Sequence, residues 1–175
     1  MAKENWQASL DSVLEHEGGF QSDSRDTGNA GGKCTNLGVT QKVWEAWVSH
    51  PVDEAEMRSL TPAIVAPFYR AEYWDACKCD ELPLGVDYAV FDFAVNSGVG
   101  RASKTLQEAV GASVDGVIGK NTIAIARNYN PVELIELFSA EKEKFYRGLG
   151  NFRIYGRGWL RRVVEVQKTA EVMIA

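Results

Sequence analysis

The sequence predicts an α+β fold that is mostly α-helical and carries a small β-element near residues 20–39. Apolar residues recur at helical spacing through most of the 175 residues, whereas residues 20–39 break this period and are rich in polar residues and glycine. The composition, 45% hydrophobic and 25% charged, is typical of a globular chain and excludes a disordered one. No linker-like stretch or internal repeat interrupts it. We therefore expect residues 1–175 to form a single domain.

Apolar spacing and cap residues place the helices in the first half of the chain. Apolar residues three and four apart predict an amphipathic helix over residues 5–17. Thr40 is a good N-cap for a helix that must end before Pro51. Thr61 is followed by a proline at the first helical position, which predicts a further helix that reaches about Trp74.

The second half of the chain is predicted to be almost entirely helical. The most apolar stretch of the protein comes first, and four helices follow it, so the predicted ranges are 84–97, 101–110, 121–128, 131–147 and 156–173. Asn130 and Pro131 supply an N-cap and a first-turn proline for one of them.

The charges divide the chain into an acidic part and a basic part. Residues 1–100 contain 7 Lys/Arg and 16 Asp/Glu, whereas residues 101–175 contain 12 Lys/Arg and 8 Asp/Glu. The net charge of −5 is not that of a nucleic-acid binder, whose usual surface is basic, so we expect no nucleic-acid partner. We expect the acidic part, residues 1–100, to hold the chemistry and the basic part, residues 101–175, to meet an anionic partner.

The cysteines and the first residues predict where the chain resides. Cys34, Cys77 and Cys79 are three in number, so they cannot all pair internally, and their role stays open. The residues after Met1 are polar, which predicts that the chain has no signal peptide and stays in a reducing cytoplasm. The Cys-x-Cys pair lacks the four ligands of a zinc site, so neither a metal nor a cofactor is expected.

Glu17 is the residue that points most clearly to chemistry. At 100° per residue it lies at the centre of the apolar stripe of the first helix, whereas Glu15 lies on the opposite, solvent side. A carboxyl group in apolar surroundings either finds a partner or stays partly protonated, and a general acid must be protonated. Fraying of the helix after residue 15 would instead turn Glu17 outward. The end of a helix disfavours a negative charge, which favours the functional interpretation.

A second carboxylate is available in the polar loop that follows. Asp23 and Asp26 both lie within nine residues of Glu17. Hydrolysis of a glycosidic bond commonly uses two carboxyl groups, one protonated and one ionised. Aspartate in a glycine-rich loop is equally suited to forming a turn, so the pattern alone leaves both interpretations open.

Several sequence blocks in a fixed order run through nearly the whole chain. They include EGGF at 17–20, TNLGVT at 35–40, VFDFAVNSG at 90–98, VDGVIG at 114–119 and GWLRRV at 158–163. In this order they resemble glycoside hydrolase family 108, whose members are N-acetylmuramidases and in many cases phage endolysins. The resemblance implies a lysozyme-like fold.

The resemblance also implies the catalytic residues. Glu17 would protonate the glycosidic oxygen, and Asp26 and Thr35 are similar to the other two members of the Glu, Asp and Thr trio of phage-type lysozymes. Asp26 would stabilise the developing positive charge or position the attacking water, and Thr35 would help to hold that water. Because the loop before Thr35 is longer than the family's Asp-Pro-Gly-Gly pattern, Asp23 and Thr40 stay as alternatives.

Candidate substrate-binding residues lie on helices and at the start of the loop. Asn96 and Asp92 share one face of an apolar helix, and the similar helix of lysozyme-like enzymes borders the sugar cleft. This implies that Asn96 contacts the substrate and that Asp92 is structural. Phe20, Tyr69 and Tyr73 are candidates to stack on sugar faces, although each could equally pack in a core.

The function implied by the resemblance is that of an endolysin muramidase. It would hydrolyse the β-1,4 bond between N-acetylmuramic acid and N-acetylglucosamine in bacterial peptidoglycan, lyse the host and have antimicrobial activity. Such a monomeric enzyme would wait in the host cytoplasm until a holin gives it access to the periplasm. A lytic transglycosylase and a non-catalytic peptidoglycan-binding module are the alternatives.

Two features of the basic part suggest contacts with the cell envelope. Residues 114–119 resemble the segment regarded as a peptidoglycan-binding region in this family, although Asp115-Gly116 is also an ordinary turn signal. The C-terminal helix is rich in arginine, and we expect it to make a weak contact with the anionic wall or membrane. The simpler alternative is that this helix only packs on the domain.

Overall fold

The computed structural model describes residues 5–23, 29 and 33–175. In its first part the elements are α1 (Trp6–Glu17), β1 (Thr35–Asn36), β2 (Val39–Thr40), α2 (Gln41–Val48), α3 (Glu54–Arg58), α4 (Pro62–Tyr69), a π-helical segment (Arg70–Asp75) and a 3₁₀ turn (Cys79–Glu81). Longer helices follow, namely α5 (Val86–Ser97), α6 (Val99–Val110), α7 (Lys120–Ala126), α8 (Pro131–Arg147) and α9 (Phe152–Val172). The predicted fold class, α+β and mostly α-helical, is confirmed.

The described chain forms two compact units. Leu10–Ala71 forms one, which we call the hairpin unit, and the described residues up to Ser9 together with Glu72–Ala175 form the other, the helical unit. The division by charge at residue 100 and the single domain over residues 1–175 stay predictions.

The hairpin unit contains the β-element that the sequence predicted. Strands β1 and β2 pair antiparallel, with Thr35 opposite Thr40 and Asn36 opposite Val39, and Gln21 adds an antiparallel bridge to Thr35. The two residues between the strands, Leu37 and Gly38, have φ values of 49° and 75°. Positive φ at both positions is the mark of the type I′ turn, whose twist matches that of the strands it joins.

Side-chain caps explain why α2, α4 and α8 begin where the sequence predicted. The Thr40 Oγ1 accepts from the Val43 amide, and the Thr61 Oγ1 accepts from the Ile64 amide, both at 3.3 Å. The Asn130 Oδ1 accepts from the Val132 amide at 2.9 Å. Each cap satisfies an amide that the first turn of a helix leaves without an intrahelical partner.

Two helical features differ from the sequence prediction. The helix that starts at Pro62 is α-helical only to Tyr69, and Arg70–Asp75 continue as a π-helix. Pro67 lies inside α4 and has no N–H, so it interrupts the hydrogen-bond ladder just before the change. Helix α3 was not predicted, although Asp53 caps it by accepting from the Glu56 amide at 2.8 Å, a pattern visible in the sequence.

The helical unit is built around α5, which packs against α6, α8 and α9. Residues 86–94 of α5 are buried without interruption, which explains why this stretch is apolar on all sides. Phe93 of α5 meets Phe138 of α8 edge-to-face at 6.0 Å between ring centroids. Within the described ranges, no helix combines the length and the apolar character that crossing a membrane requires.

Candidate active site

Glu17 is the last residue of α1 and is half-buried. The helix is regular through Glu17, so the carboxyl group stays on the same side as Leu10, Val13 and Leu14, all of which are buried. The alternative in which the helix frays after residue 15 is therefore wrong. The chain turns away immediately afterwards, where Gly18 adopts a φ of 76°.

The turn of the β-hairpin lies directly against Glu17. A methyl group built on Gly38 would lie 2.8 Å from Oε2 of Glu17, 2.9 Å from its Cβ and 2.6 Å from the hydroxyl oxygen of Tyr69. Real side chains do not approach so closely, so only glycine fits between these two residues. The bare backbone of the turn therefore borders the Glu17 carboxyl group, and Gly38 is a site residue that the sequence patterns did not single out.

Tyr69 holds this turn in place. Its side chain is 1% exposed, and its hydroxyl donates a hydrogen bond to the Leu37 carbonyl at 2.7 Å. The backbone of Leu37 is in the left-handed region, which is uncommon for a residue with a bulky side chain. The hydrogen bond from Tyr69 therefore stabilises an otherwise unfavourable backbone conformation. The expectation that Tyr69 could stack on a sugar is wrong, because burial leaves no face of the ring open.

Thr35 lies on β1 and is tied to a buried asparagine. Its hydroxyl donates to Oδ1 of Asn29 at 2.7 Å, and Asn29 is fully buried. The Asn29 amide nitrogen donates in turn to Oε1 of Gln21 at 3.2 Å and to the Asp23 carbonyl at 3.1 Å. Asn29 thus joins both ends of the polar loop to β1, a role that no local sequence signal indicated.

The alternatives for the second and third catalytic residues differ in their surroundings. Asp26 lies outside the described residues. Asp23 is exposed and follows shortly after Gln21. Thr40 uses its hydroxyl oxygen as the N-cap of α2, which is a structural role.

The predicted sugar contacts fall in both units. Phe20, in the hairpin unit, is half-buried, and the guanidinium of Arg58 lies 3.7 Å above its ring centroid. Tyr73 is half-buried in the π-helical segment of the helical unit. Asn96 lies in the last turn of α5 in the same unit and is exposed, and its Oδ1 accepts from the Tyr146 hydroxyl at 2.6 Å. Burial raises the pKa of Tyr146 to about 12, so it is a donor at neutral pH.

Asp92 is the second acid that the sequence places on an apolar helix face, and its role is structural. It is fully buried, with Lys142 at 2.9 Å and Arg162 at 2.8 Å. Burial alone would raise the pKa of Asp92, but the charges of Lys142 and Arg162 outweigh burial and hold the pKa below its ordinary value. The three side chains tie α5, α8 and α9 together.

A groove of about 630 Å³ lies beside the segment that resembles a peptidoglycan-binding region. Gln107 of α6 organises it, because its amide nitrogen donates to Asp115 at 2.7 Å and to the Val117 carbonyl at 3.0 Å, while its oxygen accepts from the Gly116 amide at 2.9 Å. The prediction that Asp115-Gly116 forms a turn is correct, since Gly116 has a φ of 84°.

The cysteines take no part in a recognisable metal site. All three are buried free thiols, and no cluster of His, Cys, Asp and Glu in the described part of the chain could hold a metal ion. Burial, followed by the neighbouring Cys77 thiol, raises the pKa of Cys79 well above its ordinary value. These thiols are therefore packed as small apolar groups.

The described geometry therefore places a glutamate at the end of a helix, bordered by a β-hairpin, in a mostly helical α+β protein. The family model Glycosyl hydrolase 108 matches residues 10–98. The chain belongs to this family, whose members are peptidoglycan-hydrolysing glycosidases.

A solved structure supports the same assignment over the whole chain. The structure of Brucella abortus SagA is similar with a TM-score of 0.85 and 35% sequence identity, covering 98% of this chain and 97% of that chain. The fold is therefore lysozyme-like, as the resemblance implied. Among curated proteins, none matches significantly.

Proposed function

We propose that this glycosidase is a muramidase of the lysozyme type, which hydrolyses the β-1,4 bond between N-acetylmuramic acid and N-acetylglucosamine. The observation that carries the proposal is the position of Glu17, on the apolar side of α1 and against the bare backbone at Gly38. A carboxyl group fixed in this way can donate a proton to a glycosidic oxygen without first rearranging.

Thr35 is suited to hold the attacking water. A threonine hydroxyl has one proton and two acceptor lone pairs, and the proton is engaged by Asn29 at 2.7 Å. The lone pairs therefore remain for the O–H groups of a water molecule. In this proposal Asn29 sets the orientation of the Thr35 hydroxyl, and Asp26 supplies the ionised carboxylate. Phe20, Tyr73 and Asn96 contact the glycan strand.

Peptidoglycan is the proposed partner, and the groove at Gln107 is a second place where the helical unit could contact it. Sugar hydroxyls and acetamido groups need convergent donors and acceptors, which the loop at 111–117, held in place by Gln107, can supply. We further propose that the monomeric enzyme acts as a phage endolysin, held in the host cytoplasm until a holin opens the way to the wall.

The decisive experiment compares Glu17→Gln with wild type on purified peptidoglycan. The substitution removes the proton donor and keeps the shape, so the rate of bond cleavage is expected to fall by about 10²–10⁴-fold with an unchanged unfolding temperature. Glu15→Gln is the matched control, because Glu15 is exposed on the same helix, and it is expected to retain full activity. Equal rates for Glu17→Gln and wild type would overturn the assignment of Glu17.

Mass spectrometry of the products separates the candidate reactions. A reducing N-acetylmuramic acid end supports the proposed hydrolysis, whereas an anhydro-muramic end indicates a lytic transglycosylase. A protein that sediments with insoluble peptidoglycan and releases no new ends is a binding module. For the endolysin role, cells producing the protein should lyse only when a holin is produced with it.

A further inference from the structure

One exposed face of helix α9 carries several cationic side chains together with large aliphatic side chains. Arg153, Arg157, Arg161 and Lys168 are all exposed on it. With 3.6 residues per turn, these four positions fall within a sector of about 100°, so they form one cationic strip along a helix about 30 Å long. We call this surface the α9 strip.

The cations of the α9 strip are not neutralised by the described part of the chain. No carboxylate within residues 5–23, 29 and 33–175 forms an ion pair with any of the four. The neighbouring helix α8 differs, because each of its three cations has a carboxylate partner: Asp92 for Lys142, Glu141 for Lys144 and Glu143 for Arg147. Two carboxylates, Glu165 and Glu171, lie at the margins of the strip, and Gln167 donates to Glu171.

Large aliphatic side chains lie among these cations. Ile154 and Val172 are each 74% exposed and Val164 is 51% exposed, and all three fall in the same sector. Ile154 and Val172 are more exposed than any other large hydrophobic residue of the described chain. Tyr155, at 54% exposed, adds an amphipathic ring beside Ile154. Contact with a hydrated polysaccharide would leave isolated aliphatic side chains largely in water. At the boundary between lipid headgroups and acyl chains the same side chains are buried in an apolar environment.

We propose that the α9 strip binds an anionic phospholipid surface, with α9 lying along the plane of the membrane. The arginines and Lys168 meet lipid phosphates, and Ile154, Val164 and Val172 enter the upper acyl region. Arg162 faces the other way, since it pairs with Asp92 at 2.8 Å, and so it keeps α9 attached to the helical unit during binding. This interaction is independent of bond cleavage and would concentrate the enzyme beside the wall.

The test measures co-sedimentation with vesicles of phosphatidylglycerol and phosphatidylcholine, and with vesicles of phosphatidylcholine alone. The wild type is expected to bind the anionic vesicles only, and to bind less as salt is added. The triple variant Arg153→Gln, Arg157→Gln, Arg161→Gln is expected to lower partitioning on the order of 100-fold. The matched control Lys144→Gln, Arg147→Gln removes paired cations of α8 and is expected to change partitioning less than about threefold.

A second variant separates lipid from polymer. Replacing Ile154 and Val172 by serine keeps every charge, so it is expected to weaken vesicle binding and to leave binding to purified peptidoglycan unchanged. Three results would overturn the proposal: no binding of the wild type to anionic vesicles, equal losses in the α8 control, or loss of peptidoglycan binding alone in the triple variant. Glu17→Gln is expected to bind vesicles as wild type does, so failure here and failure of the muramidase assignment are distinguishable.

Discussion

The hairpin unit and the helical unit each place an acid on the apolar face of a helix, and different groups lie against the two acids. In the helical unit, Asp92 is fully buried and meets two cations, Lys142 and Arg162. In the hairpin unit, Glu17 is half-buried at a helix end, against the glycine of a tight turn. The apolar pattern around the two acids is similar in the sequence, but the groups that face them are not.

The difference agrees with a structural role for Asp92 and with the catalytic role proposed for Glu17. An ion pair with two cations keeps Asp92 ionised and joins three helices, so its proton is unavailable at neutral pH. The Glu17 carboxyl group lies instead against the backbone of a tight turn, at a position where no side chain would fit. Each prediction below tests one side of this contrast.

The largest effect on stability is expected from Asp92→Asn. It leaves Lys142 buried without its carboxylate, and removing one partner of a buried pair lowers the free energy of unfolding by about 3–5 kcal/mol. Urea unfolding measures the change. Glu143→Gln, which breaks the exposed pair with Arg147, is expected to change it by less than about 0.5 kcal/mol. A loss for Asp92→Asn as small as that of the control would remove the structural side of the contrast.

A second acid of α5, Asp87, sharpens the contrast within the helical unit. Its Oδ1 accepts from Asn5 at 3.0 Å and from the Tyr88 amide at 2.8 Å, whereas Oδ2 is buried with no hydrogen-bond partner in the described part of the chain. Burial is the main cause that raises the pKa of Asp87 from 3.8 to about 6. The described part of the chain forms no ion pair with Asp87 like those at Asp92, so in the folded state this carboxyl group keeps its proton to a higher pH than an ordinary aspartate does.

Stability is therefore expected to fall as pH rises from about 4 to above 6. In this window the folded state binds the Asp87 proton and the unfolded state does not, so the contribution of Asp87 declines by about 2–3 kcal/mol. In Asp87→Asn this decline is absent, which measurements of unfolding at several pH values detect.

Asp115→Asn is the control of opposite sign. Hydrogen bonds from Gln107 and from the Val117 amide lower the pKa of Asp115, so the contribution of Asp115 to stability is lost as pH falls. Parallel pH profiles for wild type and Asp87→Asn would contradict the assignment.

The most informative effect on activity is expected from Gly38→Ala. The positive φ alone disfavours alanine by about 1–2 kcal/mol, and the new methyl group must displace Glu17 or Tyr69. A displacement of this size at a reacting group lowers the cleavage rate on the order of 100-fold.

Gly111→Ala is the matched control for this substitution. Gly111 has a φ of 72°, close to that of Gly38, but a methyl group there meets nothing within 4 Å. It is expected to lose only the stability that the positive φ costs. Because the methyl group leaves the hydrogen bonds of Gln107 in place, the rate of bond cleavage is expected to stay at the wild-type value. If both variants lose activity equally, the close approach of the turn to Glu17 has no role in catalysis.

Much of this protein follows from local sequence signals. The caps at Thr40, Thr61 and Asn130 depend on residues within one helical turn, so the starts of α2, α4 and α8 could be predicted from the sequence alone. The apolar period around Glu17 is equally local, and it predicted the place of Glu17 on the apolar side of α1. The same locality allowed the β-element to be predicted where the helical period breaks. Local signals did not reveal the change to a π-helix after Tyr69, since a proline's effect depends on how the hydrogen-bond ladder is completed around it.

Other features required the packed chain. Tyr69 contacts the turn at Leu37 across 32 residues, and Lys142 reaches Asp92 across 50. No local pattern pairs residues so far apart, because their meeting depends on how whole helices pack and which side chains face each other. The sequence by itself determined that an acid lies on the apolar side of α1. Only the tertiary structure decided that the glycine turn of the hairpin lies against it.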